Sequence, residues 1–164
     1  MALKINLGCG TDIRQGFVNC DIRENVGVDR VFDLSKGLPF KNGEVDYILA
    51  QDILEHFGFR ETEPMLREWA RVLCPGGMME IQVPNIEKHI KDYWDDRKDG
   101  RYQNGYDNAM EFLRGNIFGG QDYEGNFHKT CFTPNTLRLL IQKVGLRFVS
   151  LDLKDRAIIL ICQK

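Results

Sequence analysis

The residues best suited to chemistry fall in a few short stretches of this 164-residue chain. Leu7-Gly8-Cys9-Gly10 follows directly on a strand-like run, where glycines let the backbone turn sharply and approach a ligand closely. What is missing narrows the choice of ligand. A dinucleotide fingerprint needs a third glycine at position 13, where Ile13 stands, and no G-x-x-x-x-G-K-[ST] phosphate loop occurs. No long helix follows the loop, so the positive helix end that would face a pyrophosphate is absent. A nucleoside ligand without phosphate tolerates that loss better. A carboxylate at the end of the next strand can accept both hydroxyls of a ribose. Asp21, 11 positions after Gly10, stands there, while Asp33, 23 positions after Gly10, has the more usual spacing; either can take the role.

Histidine and cysteine add fewer constraints. His128, in Asn126-Phe127-His128-Lys129 after a Gly-rich stretch, is a candidate general base because imidazole changes charge near neutral pH; the alternative is a packing histidine. His56 follows Leu54-Glu55 and reads as fixing a turn, and His89 as a solvated residue of a charged helix. A His56–His128–Cys131 metal site finds no support in spacing, so no metal is expected. Cys9 reads as a small apolar residue in a tight loop, since no basic neighbour lowers its pKa.

Such residues can act together only if several strands end at one place. Leu3–Leu7, Phe17–Ile22, Val28–Phe32 and Met78–Val83 read as strands, and Val45–Ala50 is apolar on both faces, as an inner parallel strand must be. Thr62–Leu73 reads as a helix, with Met65, Leu66, Trp69 and Val72 at helical spacing, Thr62 as cap and Pro75-Gly76-Gly77 as stop. Ile86 to about Asp96 reads as a polar helix. Thr133-Pro134 opens another, with Leu137, Leu140, Ile141 and Val144 on one face and Gly145 at its end. Leu146–Leu153 and Ala157–Cys162 form a hairpin. The alternation predicts a mainly parallel sheet with helical cover. Gaps of about nine and about six residues separate the first three strands, against the dozen or more a parallel crossover normally takes. The usual helices there must be lost or cut to a turn. One sheet face is then thinly covered, by an insertion at about 85–127 or by another subunit.

Composition sets the outer bounds. The chain is 43% hydrophobic, enough for one domain over 1–164. With 22 Lys and Arg against 24 Asp and Glu, it carries no broad basic surface for nucleic acid or an anionic membrane. The longest apolar run, Ala157 to Cys162, is too short to span a bilayer, and the N-terminus carries no export pattern. Five cysteines without a C-x-x-C pair point to neither a disulfide framework nor a zinc site, and the default is a reducing cytoplasm.

The ordered set Leu7-Gly8-Cys9-Gly10, Asp21, Asp33-Leu34, Leu38-Pro39-Phe40, Val45-Asp46, Leu54-Glu55-His56 and Pro75-Gly76-Gly77 resembles the class I S-adenosylmethionine-dependent methyltransferases, in particular a small bacterial group with an L-G-C-G loop. The resemblance covers about residues 3–84, and more faintly the stretch from His128 onward. It implies a doubly wound α/β, Rossmann-like sheet of seven strands, mainly parallel, with a C-terminal antiparallel hairpin and reduced first crossovers. It implies S-adenosylmethionine as cofactor. Gly8, Cys9 and Gly10 would line its amino-acid end and ribose. Asp21 would bind the ribose hydroxyls, Asp33 the adenine amino group, and Leu34 the ring. Gln51 and Asp52 would border the methionine portion, with His128 and then Asp52 as candidate bases. Thr11-Asp12 stands where a further glycine is common. The implied function is methyl transfer to a small-molecule or carbohydrate-like acceptor, with the aromatic residues from Tyr93 to Phe127 as acceptor pocket or as packing. A non-catalytic S-adenosylmethionine-binding subunit is the alternative, and a second copy of the chain a candidate partner. A nicotinamide oxidoreductase is disfavoured by Ile13 and the short crossovers.

Overall fold

The structure is a computed structural model; it describes residues 2–98 and 113–164, with the backbone alone at 96–98. Seven strands form one sheet in the order β3-β2-β1-β4-β5-β7-β6. They are β1 (Lys4–Leu7), β2 (Val18–Asp21), β3 (Arg30–Val31), β4 (Val45–Gln51), β5 (Leu73–Pro84), β6 (Arg147–Lys154) and β7 (Ala157–Gln163). The first five run parallel. β7 enters antiparallel between β5 and β6, pairing Ile81 with Leu160 and closing the hairpin with β6. The α-helices are α1 (Thr62–Val72), α2 (Ile86–Lys98), α3 (113–118) and α4 (Pro134–Lys143). Part of the expected insertion, including Tyr102, Tyr106 and Phe112, lies outside the described residues. No helix among those described is long and apolar enough to cross a membrane.

One face of the sheet is the core. Ile5, Ile48, Ile81 and Leu160 are fully buried, and Leu66, Trp69, Leu137 and Ile141 from α1 and α4 join the same cluster. α4 starts as its sequence dictates. Thr133 Oγ1 accepts from Thr136 N–H at 3.1 Å, Thr136 Oγ1 accepts from Thr133 N–H at 2.8 Å, and Pro134 supplies the preset φ. α1 differs in one detail. Thr62 lies inside the helix and donates to Phe59 O at 3.2 Å, while Glu61 takes the cap position. Pro75-Gly76-Gly77 also departs from expectation. The chain leaves α1 straight into β5, and the three residues form an irregularity within that strand, where pairing jumps from Val45–Leu73 to Tyr47–Met78. Gly77 fits because a Cβ there would meet Cys74 O at 2.9 Å. The Leu38-Pro39-Phe40 block is tied to α1. Arg71 donates to Leu38 O and Phe40 O, and Glu68 accepts from Leu38 N–H at 2.8 Å.

The reduced crossovers are present as expected. No α-helix joins β1 to β2, β2 to β3, or β3 to β4; the last of these carries only a 3-10 turn at Leu34–Lys36. Two buried asparagines do the work of the missing helix. Backbone groups taken from water need partners, and a helix normally supplies them internally. Here Asn6 Nδ2 donates to Asp12 O at 2.8 Å and to Asn19 Oδ1 at 3.2 Å. Asn19 Oδ1 accepts from Arg14 N–H at 2.9 Å, and its Nδ2 reaches Arg14 O and Phe17 O. Asp29 Oδ2 accepts from Asn19 N–H at 2.8 Å and joins the next crossover to the same ladder. On this face the β5 side chains Met78, Glu80 and Gln82 are half-buried, and Tyr47 Oη donates to Glu80 Oε2 at 2.8 Å.

The ladder makes a stability prediction. Asn19→Ala strands the Arg14 N–H and leaves the Asn6 amide with Asp12 O alone, so it is expected to cost about 2 kcal/mol. Urea unfolding should show a lower midpoint at unchanged slope, with native far-UV circular dichroism; a midpoint equal to that of the parent chain would contradict this role.

Candidate functional site

The site begins where the parallel strands end. Leu7 closes β1, and Gly8 turns with φ +64 against Ile53; a Cβ at Gly8 would meet Ile53 Cγ1 at 2.5 Å. Glycine is required there both for the backbone angle and for the close approach. Gly10, with φ +52, donates its N–H to Asp21 Oδ2 at 2.8 Å. Asp21 closes β2, is buried, and accepts on Oδ1 from Arg23 N–H at 2.9 Å. Asp21 thus fastens the glycine loop to the neighbouring strand end. Asp33 caps the 3-10 turn, accepting from Ser35 N–H at 2.9 Å and Ser35 Oγ at 2.7 Å. Those bonds, with Lys36 beyond them, hold its carboxyl below the usual range. After β4, Asp52 takes φ +50 and accepts from Gln82 Nε2 at 2.9 Å. Burial pushes its carboxyl up, and the Gln82 bond opposes part of that.

Gly8, Gly10, Asp21, Asp33, Leu34 and Asp52 line one cavity of about 440 Å³. Two further expected cofactor residues stand outside its lining. Cys9 is buried in the loop, where burial and the Asp21 charge push its thiol up to about 11, which keeps it unreactive. Gln51 accepts from Arg14 Nη2 at 2.9 Å. A second cavity of about 540 Å³ shares Asp52 with the first and is walled by Glu55, Gln82, His89, Asn116 and the β6–β7 turn from Lys154 to Ala157. His128 lines neither; it borders a smaller hollow with Glu55 and Asn116. His89, read from sequence as solvated, is buried.

The comparisons with known proteins bear on the fold that carries this arrangement. Residues 5–81, from β1 into β5, match the family described as a methyltransferase domain. The fold is that of the class I S-adenosylmethionine-dependent methyltransferases. An S-adenosylmethionine-dependent methyltransferase of Methanosarcina mazei matches with a TM-score of 0.66 at 18% identity, over 98% of this chain and 91% of that one. The 1,6-didemethyltoxoflavin-N1-methyltransferase of Burkholderia thailandensis, solved with 1,6-didemethyltoxoflavin and S-adenosylhomocysteine, gives 0.64 at 14% identity, over 99% and 71%. A chain of the complex between the Haloferax volcanii Trm112 methyltransferase activator and a methyltransferase gives 0.63 at 14% identity, over 99% and 82%. No similar sequence is found among curated proteins. Of these neighbours, the Methanosarcina protein is S-adenosylmethionine-dependent and the Burkholderia one holds S-adenosylhomocysteine, which agrees with the cofactor the motifs implied.

The cavities are also lined by residues that sequence reasoning did not assign. Arg23 and Tyr123 meet across the first cavity, with the guanidinium carbon 4.4 Å from the ring centroid. Ile53 and His56 line it from the segment after β4. Glu55 is 1% exposed between the second cavity and the small hollow, and burial, then the Asp52 charge, pushes its carboxyl up to about 8. A Glu-His pair in a turn gives no sequence signal of such a position, because its partners lie some seventy residues onward.

The glycine turn is testable. Gly8→Ala adds a methyl group into Ile53 and forces a side chain to positive φ, a strain of about 1–3 kcal/mol. Thermal unfolding should report that loss. Adding Ile53→Ala should recover only part of it, because relieving the clash leaves the backbone strain; full recovery would assign the whole cost to crowding.

Proposed function

We propose that this chain transfers the methyl group of S-adenosylmethionine to a small-molecule acceptor. The observation that carries the reading is the meeting of Gly8, Gly10, Asp21, Asp33, Leu34 and Asp52 around one cavity at the carboxyl ends of the strands. In this reading Asp21 takes the ribose hydroxyls, Asp33 the adenine amino group and Leu34 the ring. Gly8 and Gly10 lie along the amino-acid end. Charge favours this ligand over a dinucleotide. Asp21, Asp33, Asp52, Glu61 and Glu124 line the cavity against Arg23 and Lys129, a balance that suits a sulfonium cation and opposes a pyrophosphate.

The acceptor occupies the second cavity, which meets the first at Asp52. The sulfonium methyl is already activated, so the protein's task is to align nucleophile and methyl carbon away from water. Asp52 receives the acceptor's proton, since burial raises its affinity for one and it touches both cavities. The other candidate base, His128, aims Nε2 at Glu55 Oε1, 4.0 Å away. The Burkholderia neighbour, with a small-molecule ligand beside S-adenosylhomocysteine on the same fold, supports an acceptor of that size, sugars included. Five unbridged cysteines support a reducing compartment such as the cytoplasm.

A second reading, an S-adenosylmethionine-holding subunit that supports a partner protein or a second copy, draws on the half-buried sheet face and on the neighbour found with an activator. Formation of S-adenosylhomocysteine by the isolated chain with a panel of hydroxyl and amine acceptors separates the two. The first reading expects turnover alone; the second expects cofactor binding by calorimetry and turnover only after a partner is added. Asp33→Ala should weaken S-adenosylmethionine about tenfold, the loss of about 1.4 kcal/mol. Asp52→Asn should lower kcat by about a hundredfold or more while leaving cofactor affinity nearly unchanged. Unaltered kcat would remove Asp52 from proton transfer.

A further inference from the structure

Beside the cavities lies a cluster that methyl transfer as described does not use. Glu55, His56 and His128 each offer one ligand atom, and these atoms lie within 4.8 Å of one another. The chain builds the cluster from two distant segments. Lys129 N–H and Thr130 N–H both donate to Glu55 O, at 2.8 and 3.2 Å, which draws His128 alongside the turn at Leu54–His56. The two imidazole rings stand 5.0 Å apart between centroids, edge to face.

Three features point to a ligand. Each ring has its Nδ1 3.0 Å from a backbone carbonyl, His56 at Gly125 O and His128 at Asn116 O. A carbonyl only accepts, so each Nδ1 carries its proton, and in the neutral ring Nε2 presents a lone pair. This is how metal-binding histidines are held. Second, Glu55 is 1% exposed, and neither carboxylate oxygen has a hydrogen-bond partner among the described residues. Buried polar atoms are seldom left so, and this one points into the cluster, with Oε1 4.0 Å from His128 Nε2. Third, the surroundings leave access, since His56 lines the first cavity and Glu55 the second. The sequence expectation of no metal rested on His56, His128 and Cys131; the fold supplies Glu55 in place of the exposed Cys131.

We propose that Glu55, His56 and His128 bind a divalent transition-metal cation at the boundary of the two cavities. Two imidazole nitrogens and one carboxylate suit Zn²⁺, Mn²⁺ or Fe²⁺ and not the all-oxygen coordination of Ca²⁺. A cation about 2.1 Å from each ligand needs ligand atoms at most about 4 Å apart, so small side-chain rotations complete the site. Three protein ligands leave coordination positions open. Resting on the methyl-transfer reading, the site has a further role: an open position takes an oxygen of the acceptor. The bound hydroxyl gives its proton to Asp52, its oxygen forms the bond to the methyl carbon, and the carbon–sulfur bond breaks with its electron pair going to sulfur.

The test starts with the full chain stripped by a chelator and titrated with Zn²⁺ and Co²⁺, without S-adenosylmethionine. One equivalent should bind, Co²⁺ should develop visible absorption, and the melting temperature should rise with Zn²⁺ concentration. Glu55→Gln, nearly isosteric, should keep the unligated fold by circular dichroism yet weaken Zn²⁺ at least tenfold, and His128→Ala should do the same. No uptake by the parent chain, or equal uptake by both variants, overturns the site; neither result touches cofactor binding, which is measured separately. Equal turnover by stripped and Zn²⁺-loaded enzyme overturns the acceptor role alone.

Discussion

A parallel sheet has to carry its chain back between strands without leaving buried backbone groups unpaired. The first crossover meets that constraint without a helix, through the side chains of Asn6 and Asn19, which pair with Asp12 O, Arg14 N–H and O, and Phe17 O. The solution fixes register as well as satisfying bonds. Asn6 and Asn19 are directly opposite in the β1–β2 pairing, so a slip of either strand would break the ladder. Because β1 and β2 end in fixed register, the Gly10 N–H meets the Asp21 carboxylate, and the glycine loop acquires its shape.

The absence of a helix after that loop also sets the chemistry. A helix N-terminus would bring partial positive charge to the loop and favour phosphate. Without one, the cavity's charge is governed by its carboxylates, and its floor by Gly8 and Ile53 in contact. The acidic lining and the lost dipole act in the same direction, toward a ligand that carries positive charge. Asp52 stands where the floor of one cavity becomes the wall of the other. It does so in a backbone conformation that side-chain-bearing residues rarely adopt.

Much of this was legible in the sequence, for identifiable reasons. Strand ends were visible because inner strands such as Val45–Ala50 are apolar throughout and their loops carry glycine and aspartate. The short gaps before β2 and β3 foretold the lost helices by simple reach. The 3.6-residue spacing in α1 and α4 was sufficient to find both. Pro75-Gly76-Gly77 was misread as a plain stop, because local propensity cannot tell a loop from a strand irregularity whose partner is Val45, far back in the chain. Glu55 was missed for a similar reason. Its burial depends on the segment at His128–Thr130, and no local pattern announces a contact over that separation. His89 faced inward although its helix reads as polar, since a sparse apolar face on α2 hides which side meets the sheet.

The order of the last three strands bears on how the molecule is made. β6 is synthesised before β7 but reaches β5 only through it, so the ribosome delivers an outer strand before the one that must lie inside it. Until residues 157–163 are free to insert, β5 keeps an open, apolar edge able to pair with a neighbouring nascent chain. A truncation ahead of β7 would therefore strand β6 and leave the edge of β5 unpaired, whereas trimming of an outer element costs far less.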